Sequence, residues 1–554
     1  MKKPRIIVIV GGVAGGASAA ARLRRLDEEA EIILVERGEH VSFANCGLPY
    51  HISGEIEERS DLLVQTPASL RRRFRIDVLV RTEAVSINAQ AHSILLKDLV
   101  SSRTWEQPYD GLILSPGAAP IRLPIRGVDL PGVQTLRNLA DMDAIKARAE
   151  AHPGGHAVVL GGGYIGLEMA EALRHRGMQV TLVELGAQVM GPADPEMAAY
   201  LAMELKAKGV TLRLKTSITG IRAGASQSLL ADLSDGTSLA ADLVLLAPGV
   251  RPETGLAKAA GLTLGPRGGI QVDDHMRTSD PAIYAVGDAV EVKDLVSGRQ
   301  SLIPLAGPAN RQGRIAADNL CGLTSTYKGT QGTAIARVFD QTFAMTGASE
   351  KALRAADLPY EKIYLHPNQH AGYFPGAKAL RIKLLFAPAD GRILGAQVVG
   401  EEGVDKRIDV LAVALRAGLT VYDLEELELA YAPPFGSAKD PINFAGFIAA
   451  GVLDGNTKIF HGETASHPGP DQLLLDVRSQ GEYDEGSIPG ALNVPVDELR
   501  GRLAELPKDK ELLVYCRVGL RGYLACRILS QHGFRCRNLS GGYLTWQAYE
   551  AAAA

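Results

Sequence analysis

Two strand–glycine turn–helix–strand units constrain this chain more than any other feature of its sequence. In the first, Arg5-Ile-Ile-Val-Ile-Val10 leads into Gly11-Gly12-Val13-Ala14-Gly15-Gly16, a helix-forming stretch from Ala17 to Leu26, and an apolar run that ends on Glu36, with Arg37 next. In the second, Ala157–Leu160 leads into Gly161-Gly162-Gly163-Tyr164-Ile165-Gly166, a helix to about Arg176, and Val180–Glu184. A short all-apolar run suits a parallel strand buried on both faces. The glycines let backbone approach a pyrophosphate at a helix N-terminus, and the acid closing the second strand can accept from a ribose hydroxyl. The second copy fits G-x-G-x-x-G fully. The first carries Val13 where the middle glycine stands. Finding the pattern twice argues against two ordinary tight turns.

Later segments complete the first fold. Gly111–Leu114 ends in Ser115-Pro-Gly117, and Ile283–Val286 closes on Gly287-Asp288. Asp288 can bond the ribityl or phosphate end of a flavin. Leu243–Leu246 ends in Gly249 and belongs to the second fold. The interleaving predicts an α/β architecture with an FAD-binding Rossmann-like domain in two segments, 1–115 and 250–325, around an inserted NAD(P)-binding domain, 116–249. Up to about residue 325 this resembles the flavoprotein disulfide reductases with two dinucleotide-binding domains. Residues 326–450 alternate strand-like segments (335–346, 361–366, 379–386, 393–399) with helices near 405–417 and 439–450. The family equivalent is an α+β dimerisation domain. Residues 451–470, polar and rich in Gly, His and Pro, read as a linker. Residues 471–554 read as an independent α/β domain.

The composition narrows the setting. A chain of 554 residues implies several domains, and a net charge of −4 implies neither nucleic acid nor an acidic membrane as partner. The five cysteines, at 46, 321, 516, 526 and 536, are too few and scattered for a disulfide framework, which points to a reducing cytoplasm. No stretch reaches the length of a membrane span, the first apolar run is too short for a signal peptide, and no metal site is expected.

Cys46 lies in Ser42-Phe43-Ala44-Asn45-Cys46-Gly47-Leu48-Pro49-Tyr50. The Gly and Pro suit a turn into a helix start, where amides and dipole favour a thiolate. A dithiol reductase of this superfamily would carry a second Cys five residues on, but position 51 is His. Oxidised Cys46 is therefore a mixed disulfide with a small thiol, a persulfide, or an oxygen acid such as sulfenate. Glu184 accepts from a ribose 2′-OH and repels a 2′-phosphate, and Leu185 to Val189 offers no Arg, so NADH is favoured over NADPH.

The glycine turn, the Cys46 stretch, and Tyr431-Ala-Pro-Pro with Lys439-Asp440 resemble the single-cysteine coenzyme A-disulfide reductases, whose first motif shares the Val13 departure. The C-terminal domain resembles rhodanese, whose nucleophilic Cys opens a six-residue loop, here Cys516-Arg517-Val518-Gly519-Leu520-Arg521. The whole resembles the fusions of the two, including NADH-dependent persulfide reductases. The resemblance implies redox chemistry at Cys46 and a sulfur-carrying Cys516. It implies Tyr373 and Tyr431 as a pair given by the partner subunit of a homodimer, able to bond a thiolate or protonate a leaving sulfur. It implies coenzyme A contacts at Ser18, Arg22, Arg25, Ser42, Asn45, Arg73, Asn310 and Lys439. Flavin contacts would add Val85, Pro304, Leu305, Ala306, Ser42, Asn45 and Tyr431 to the turn residues Gly11 to Gly15. Phe435 replaces a second tyrosine of relatives. In the rhodanese-like loop, inward backbone N–H groups with Arg517 and Arg521 would favour a thiolate and hold a persulfide. Cys321, Cys526 and Cys536 read as structural, and Asp476 with Arg478 as a structural ion pair.

The reading that results is a cytoplasmic homodimer using FAD and NADH to reduce persulfide, polysulfide or coenzyme A persulfide, with coenzyme A as ligand or thiol carrier. The rivals are coenzyme A-disulfide reduction proper, an NADH oxidase or peroxidase with Cys46 as sulfenate, and a sulfur carrier or redox-sensing module.

Overall fold

The computed structural model describes residues 4–224 and 228–553. They group into two compact units, Met1–Leu185 with Thr216–Gly332, and Gly186–Lys215 with Thr333–Ala554.

In the first unit, five parallel strands form a sheet in the order Ile283–Ala285, Gly111–Leu114, Ile6–Val10, Glu31–Val35, Ile76–Leu79. Ile7, Val8 and Ile9 are fully buried, as a strand covered on both faces requires. The helix Ala14–Leu26 lies along the helix Ala306–Leu320, and both bury small residues, Gly15, Gly16 and Ala19 on one, Ala309, Gly313 and Ala316 on the other. A Cβ on Gly313 would overlap the Gly15 carbonyl, so the helices touch by backbone. A second parallel sheet contains Gln179–Val183, His156–Leu160, Leu243–Leu246 and Val133–Gln134. The two chain crossings between these folds, Ala118–Pro120 and Val250–Pro252, pair antiparallel, as an insertion of one fold into the other demands.

The second unit holds a five-stranded antiparallel sheet in the order Ala334–Val338, Gln341–Gly347, Ile393–Gly400, Arg381–Phe386, Glu361–Leu365. Every residue of the central strand Ile393–Gly400 is buried. The stretch expected as one strand over 335–346 is a hairpin, turned at Phe339, whose φ is 55°. Helices Val404–Ala417 and Pro441–Leu453 follow, the latter capped by Asp440, which the buried Arg407 grips at 2.9 Å. A parallel sheet closes the chain, ordered Ile459–Phe460, Cys536–Leu539, Glu511–Tyr515, Gln472–Asp476, Leu492–Asn493.

Two segments depart from the sequence reading. Gly186–Lys215, expected within the NAD(P)-binding domain, groups with the second unit. Its Asp194 and Glu196 carboxylates and that of Glu350 surround the wholly buried Lys383 ammonium at 2.7, 2.5 and 2.5 Å. The stretch expected as a linker, 451–470, contains the end of the helix Pro441–Leu453, the strand Ile459–Phe460 and the helix Gly462–Ser466. The C-terminal domain is also pinned by side chains. Lys362 Nζ reaches Glu463 at 3.2 Å and the Tyr549 hydroxyl at 3.1 Å, and the Tyr364 hydroxyl donates to Glu196 at 2.9 Å and lies 2.7 Å from the Tyr549 hydroxyl. Polarity at 451–470 marked a short loop-rich entry into the domain, and the domain is held by the Lys362–Glu463 pair and the Tyr549 hydroxyl, which no local pattern announces.

Candidate active site

The two glycine turns are built alike. Gly11 (φ 95°) and Gly161 (φ 106°) sit in the left-handed region, and a Cβ on either would overlap a carbonyl, that of Ser115 or Ala247. A Cβ on Gly16 or Gly166 would overlap the Gly11 or Gly161 carbonyl, so each helix starts tight against its turn. The middle positions differ. Gly163 caps the helix Tyr164–His175 and has no atom within 4 Å of where a Cβ would sit, while Val13 caps the helix Ala14–Leu26. Both acids face their turns: Glu36 accepts from the Gly12 N–H at 2.9 Å and the Gly38 N–H at 2.7 Å, and Glu184 accepts from the Gly162 N–H at 2.6 Å. These cradles fit a dinucleotide pyrophosphate on each helix start with a carboxylate for its ribose. Burial pushes the Tyr164 phenol up to about 12, which keeps it a proton donor.

Around the first turn, Ser115 donates its N–H to the Val10 carbonyl at 2.8 Å, and Gly287 donates its N–H to the buried Gln312 side chain at 2.8 Å. Burial raises the Asp288 carboxyl. Leu305 caps the helix that Ala306 opens after Pro304, Gly117 has φ 71° and Gly249 has φ 129°. Val85 stands exposed at a register shift in the strand Thr82–Asn88. Arg37 is paired with Glu253 at 3.3 Å.

Cys46 lies exposed in a 3₁₀ turn, Asn45–Gly47, and its N–H donates to the Asn45 side chain at 3.1 Å. Ser42 enters this segment at φ 47° and donates its N–H to the Gly12 carbonyl at 2.7 Å, which ties the thiol segment to the glycine turn. The expected thiolate stabilisation by a helix start is not what this geometry gives. The helix Leu48–Ser53 spans only six residues, and although the residue as a whole is exposed, protein atoms packed around its sulfur desolvate the thiol and, with Glu168 and Asp288, raise it above its ordinary value. His51, where a second thiol would stand, is buried. Its Nδ1–H donates to the Ile56 carbonyl at 2.7 Å and its Nε2 accepts from Lys146 at 3.0 Å.

The coenzyme A candidates divide. Ser18 donates to the Asn310 side chain at 2.6 Å, so these two are brought together. Arg22 is taken by the buried Asp318 at 2.6 Å, while Arg25, also expected to contact coenzyme A, is exposed. Their neighbour Arg24, which the sequence left unremarked, is buried and donates to five backbone carbonyls. Arg73 and Lys439 are exposed. In the second unit, the Tyr373 and Tyr431 hydroxyls are 2.8 Å apart and both rings are exposed, with Phe435 exposed nearby in sequence. That bond raises the Tyr373 phenol.

The C-terminal loop is compact. Cys516 is buried at the end of its strand, the Gly519 N–H donates to its Sγ at 3.2 Å, and Gly519 (φ 102°) caps the helix Leu520–Gln531. Tyr543 donates its N–H to the Cys516 carbonyl at 2.8 Å. Arg521 binds both oxygens of Glu482 at 2.7 Å and brings that carboxyl down to about 2. Arg517, Leu520 and Val518 line the outer side, Arg517 and Leu520 exposed. Asp476 and Arg478 form a buried pair at 2.6 Å. Glu482 was legible as the end of a capping box, Ser479-Gln-Gly-Glu482, but its grip on Arg521 was not. Gln312 and Lys146 carried no signal in the sequence.

Comparison with known proteins places these features. Residues 5–313 match the model of the pyridine nucleotide-disulphide oxidoreductases, 333–440 that family's dimerisation domain, and 463–549 the rhodanese-like domain. A coenzyme A disulfide reductase of Staphylococcus haemolyticus is 35% identical over 446 residues, 80% of this chain and 99% of the relative. The structure of reduced Bacillus anthracis CoADR-RHD superposes with a TM-score of 0.95 at 49% identity, covering 98% of both chains. A NAD-dependent persulfide reductase from A. fulgidus superposes at 0.92 with 38% identity, covering 98% of this chain and 100% of that one.

Proposed function

We propose, for a chain that belongs to the pyridine nucleotide-disulphide oxidoreductase family, that it reduces sulfane sulfur at Cys46 with NADH, coenzyme A persulfide being the foremost substrate. One observation carries this. Cys46 is exposed in the dinucleotide-binding unit while position 51 is a buried His bonded on both ring nitrogens. No thiol at position 51 can share the oxidised state of Cys46, and the rhodanese-like domain favours a substrate sulfur over an oxygen as its partner. When bound, FAD supplies the two-electron relay between nicotinamide and sulfur. The turn Gly11–Gly15 with Glu36 and Asp288 holds it, and the turn Gly161–Gly166 with Glu184 holds NADH.

Cys46 takes the outer sulfur of the persulfide, and the coenzyme A thiol leaves with a proton. Two electrons and a proton then release hydrosulfide and restore the thiolate. Glu168 and Asp288 oppose a free thiolate at Cys46, so proton transfer needs help. The Tyr373–Tyr431 pair, given by the partner subunit of a homodimer, provides it. Ser18 with Asn310, and Lys439, bind the coenzyme A moiety. Cys516, held by the Gly519 N–H and Arg521, receives or delivers sulfane sulfur. Five free thiols suit a cytoplasmic setting.

A second reading, coenzyme A-disulfide reduction, is favoured by the name of the Staphylococcus haemolyticus relative and uses the same lone thiol. Anaerobic NADH turnover with coenzyme A persulfide, coenzyme A disulfide, polysulfide and peroxide side by side tests both. Fastest turnover of the disulfide would move the chain to the second reading, and fastest turnover of peroxide would overturn both.

A further inference from the structure

The C-terminal domain carries three thiols, and only Cys516 has a role above. Cys526 sits in the helix Leu520–Gln531 that starts in the Cys516 loop. Cys536 opens the strand Cys536–Leu539, which pairs in parallel with the strand leading to Cys516, Leu512 standing opposite Cys536. Cys516 and Cys526 are buried in one apolar cluster, and Cys536, half-buried, packs against it. The Cys536 Sγ lies 3.5 Å from the Cys526 carbonyl. That contact places the Cys536 sulfur against the residue that carries the second thiol. The neighbouring Cys526 side chain, helped by Lys458 and Arg527 and opposed by burial and Glu511, brings the Cys536 thiol down, while Cys536 and burial push the Cys526 thiol up. Cys536, half-buried where Cys526 is buried, is the thiol of the pair that a substrate reaches first, and Cys526 stands behind it.

We propose that Cys526 and Cys536 form a dithiol that releases sulfide from persulfides without the flavin, closing a disulfide between helix and strand. The Cys536 thiolate attacks the outer sulfur of a persulfide RSSH, which leaves RSH and a Cys536 persulfide. Cys526 then attacks the Cys536 sulfur, forming the disulfide and expelling hydrosulfide. The balance is RSSH plus two thiols to RSH, H₂S and one disulfide. The two electrons that reduce the sulfane sulfur come from the two thiols. Cys516 stands alone, so by itself it stores a sulfur and releases none.

The test uses full-length FAD-loaded protein carrying Cys46→Ser, which removes the NADH-driven route and keeps this proposal separable from the proposed function. Reduced protein, freed of reductant, is given glutathione persulfide anaerobically without NADH. The expected result is about one sulfide per subunit, together with a disulfide joining the Cys526 and Cys536 peptides, which tryptic cleavage at Arg527 and Arg535 otherwise separates. Adding Cys536→Ser should abolish both signals. Persulfide on Cys516 with neither sulfide nor the joined peptide would overturn the proposal, as would full sulfide yield in the Cys536→Ser protein. Peptide mapping of the Cys46→Ser parent needs no substitution in the pair, so a folding defect in the second variant leaves the test standing.

Discussion

Replacing Lys383 by Met probes what fastens the C-terminal domain. The side chain keeps its length and loses its charge, leaving Asp194, Glu196 and Glu350 with carboxylate oxygens within 4.8 Å of one another. Lys362, 3.0 Å from Glu350, is the ammonium that remains against them. Removing one partner of a buried ion pair costs about 3–5 kcal/mol. Proton uptake gives the same scale. Holding one carboxyl protonated at pH 7, when it ionises near 4.3 unfolded, costs about 4 kcal/mol and falls by roughly 1.4 kcal/mol per pH unit toward acid. In the wild type, burial alone would raise Glu350, but Lys383 and Lys362 outweigh it and bring the carboxyl down to about 2. That depressed value contributes stability above the ordinary carboxylate range and loses it as pH falls toward 2. The variant binds protons on folding instead, so its stability falls as pH rises. Thermal unfolding of the FAD-loaded protein from pH 5 to 8 should show a deficit that is largest at pH 8 and narrows toward pH 5. Trypsin should also reach Lys458 sooner, because Tyr549 and Glu463 share the disturbed network. A deficit under about 1 kcal/mol, or one independent of pH, would refute the reasoning.

Three further outcomes are expected. With Glu184 held on the Gly162 N–H, kcat/KM for NADH should exceed that for NADPH by roughly tenfold or more, and an equal or reversed ratio counts against that role. Cys516→Ser should cut turnover of elemental sulfur or protein persulfides by roughly tenfold and leave coenzyme A persulfide turnover nearly intact; equal losses on both would make Cys516 an obligatory step, and no loss on either a passenger. Mixing Cys46→Ser subunits with Tyr431→Phe/Lys439→Ala subunits should restore about one working site per heterodimer, and no restoration would mean that each subunit uses its own tyrosines.

The dinucleotide folds were legible because their signals are local. A β-branched run, a glycine turn and a closing acid stand within some thirty residues, and the chain crossings followed from their interleaving. Even Val13 found its place, as a helix cap where Gly163 stands in the second copy. What stayed hidden is non-local charge. Arg22 reads as a basic helix face, yet Asp318, nearly three hundred residues on, takes it. Lys383 reads as a charge in a strand and is the centre of three buried carboxylates from two distant segments. The thiol segment was found, but its electrostatics were read from a local turn, whereas desolvation raises the thiol first and carboxylates at positions 168 and 288 add to it. The same holds at Cys516, where the loop was plain and Glu482, which takes the Arg521 side chain of that loop, was not.

The central claim is that Cys46 alone passes electrons from NADH to substrate sulfur, and one measurement tests it most directly: the steady-state rate of anaerobic sulfide release from coenzyme A persulfide with NADH, wild type against Cys46→Ser, each with its FAD content determined. The account predicts full FAD in both and a loss of roughly a thousandfold or more in the variant. Sulfide release within about twofold of wild type by FAD-loaded Cys46→Ser protein would contradict it.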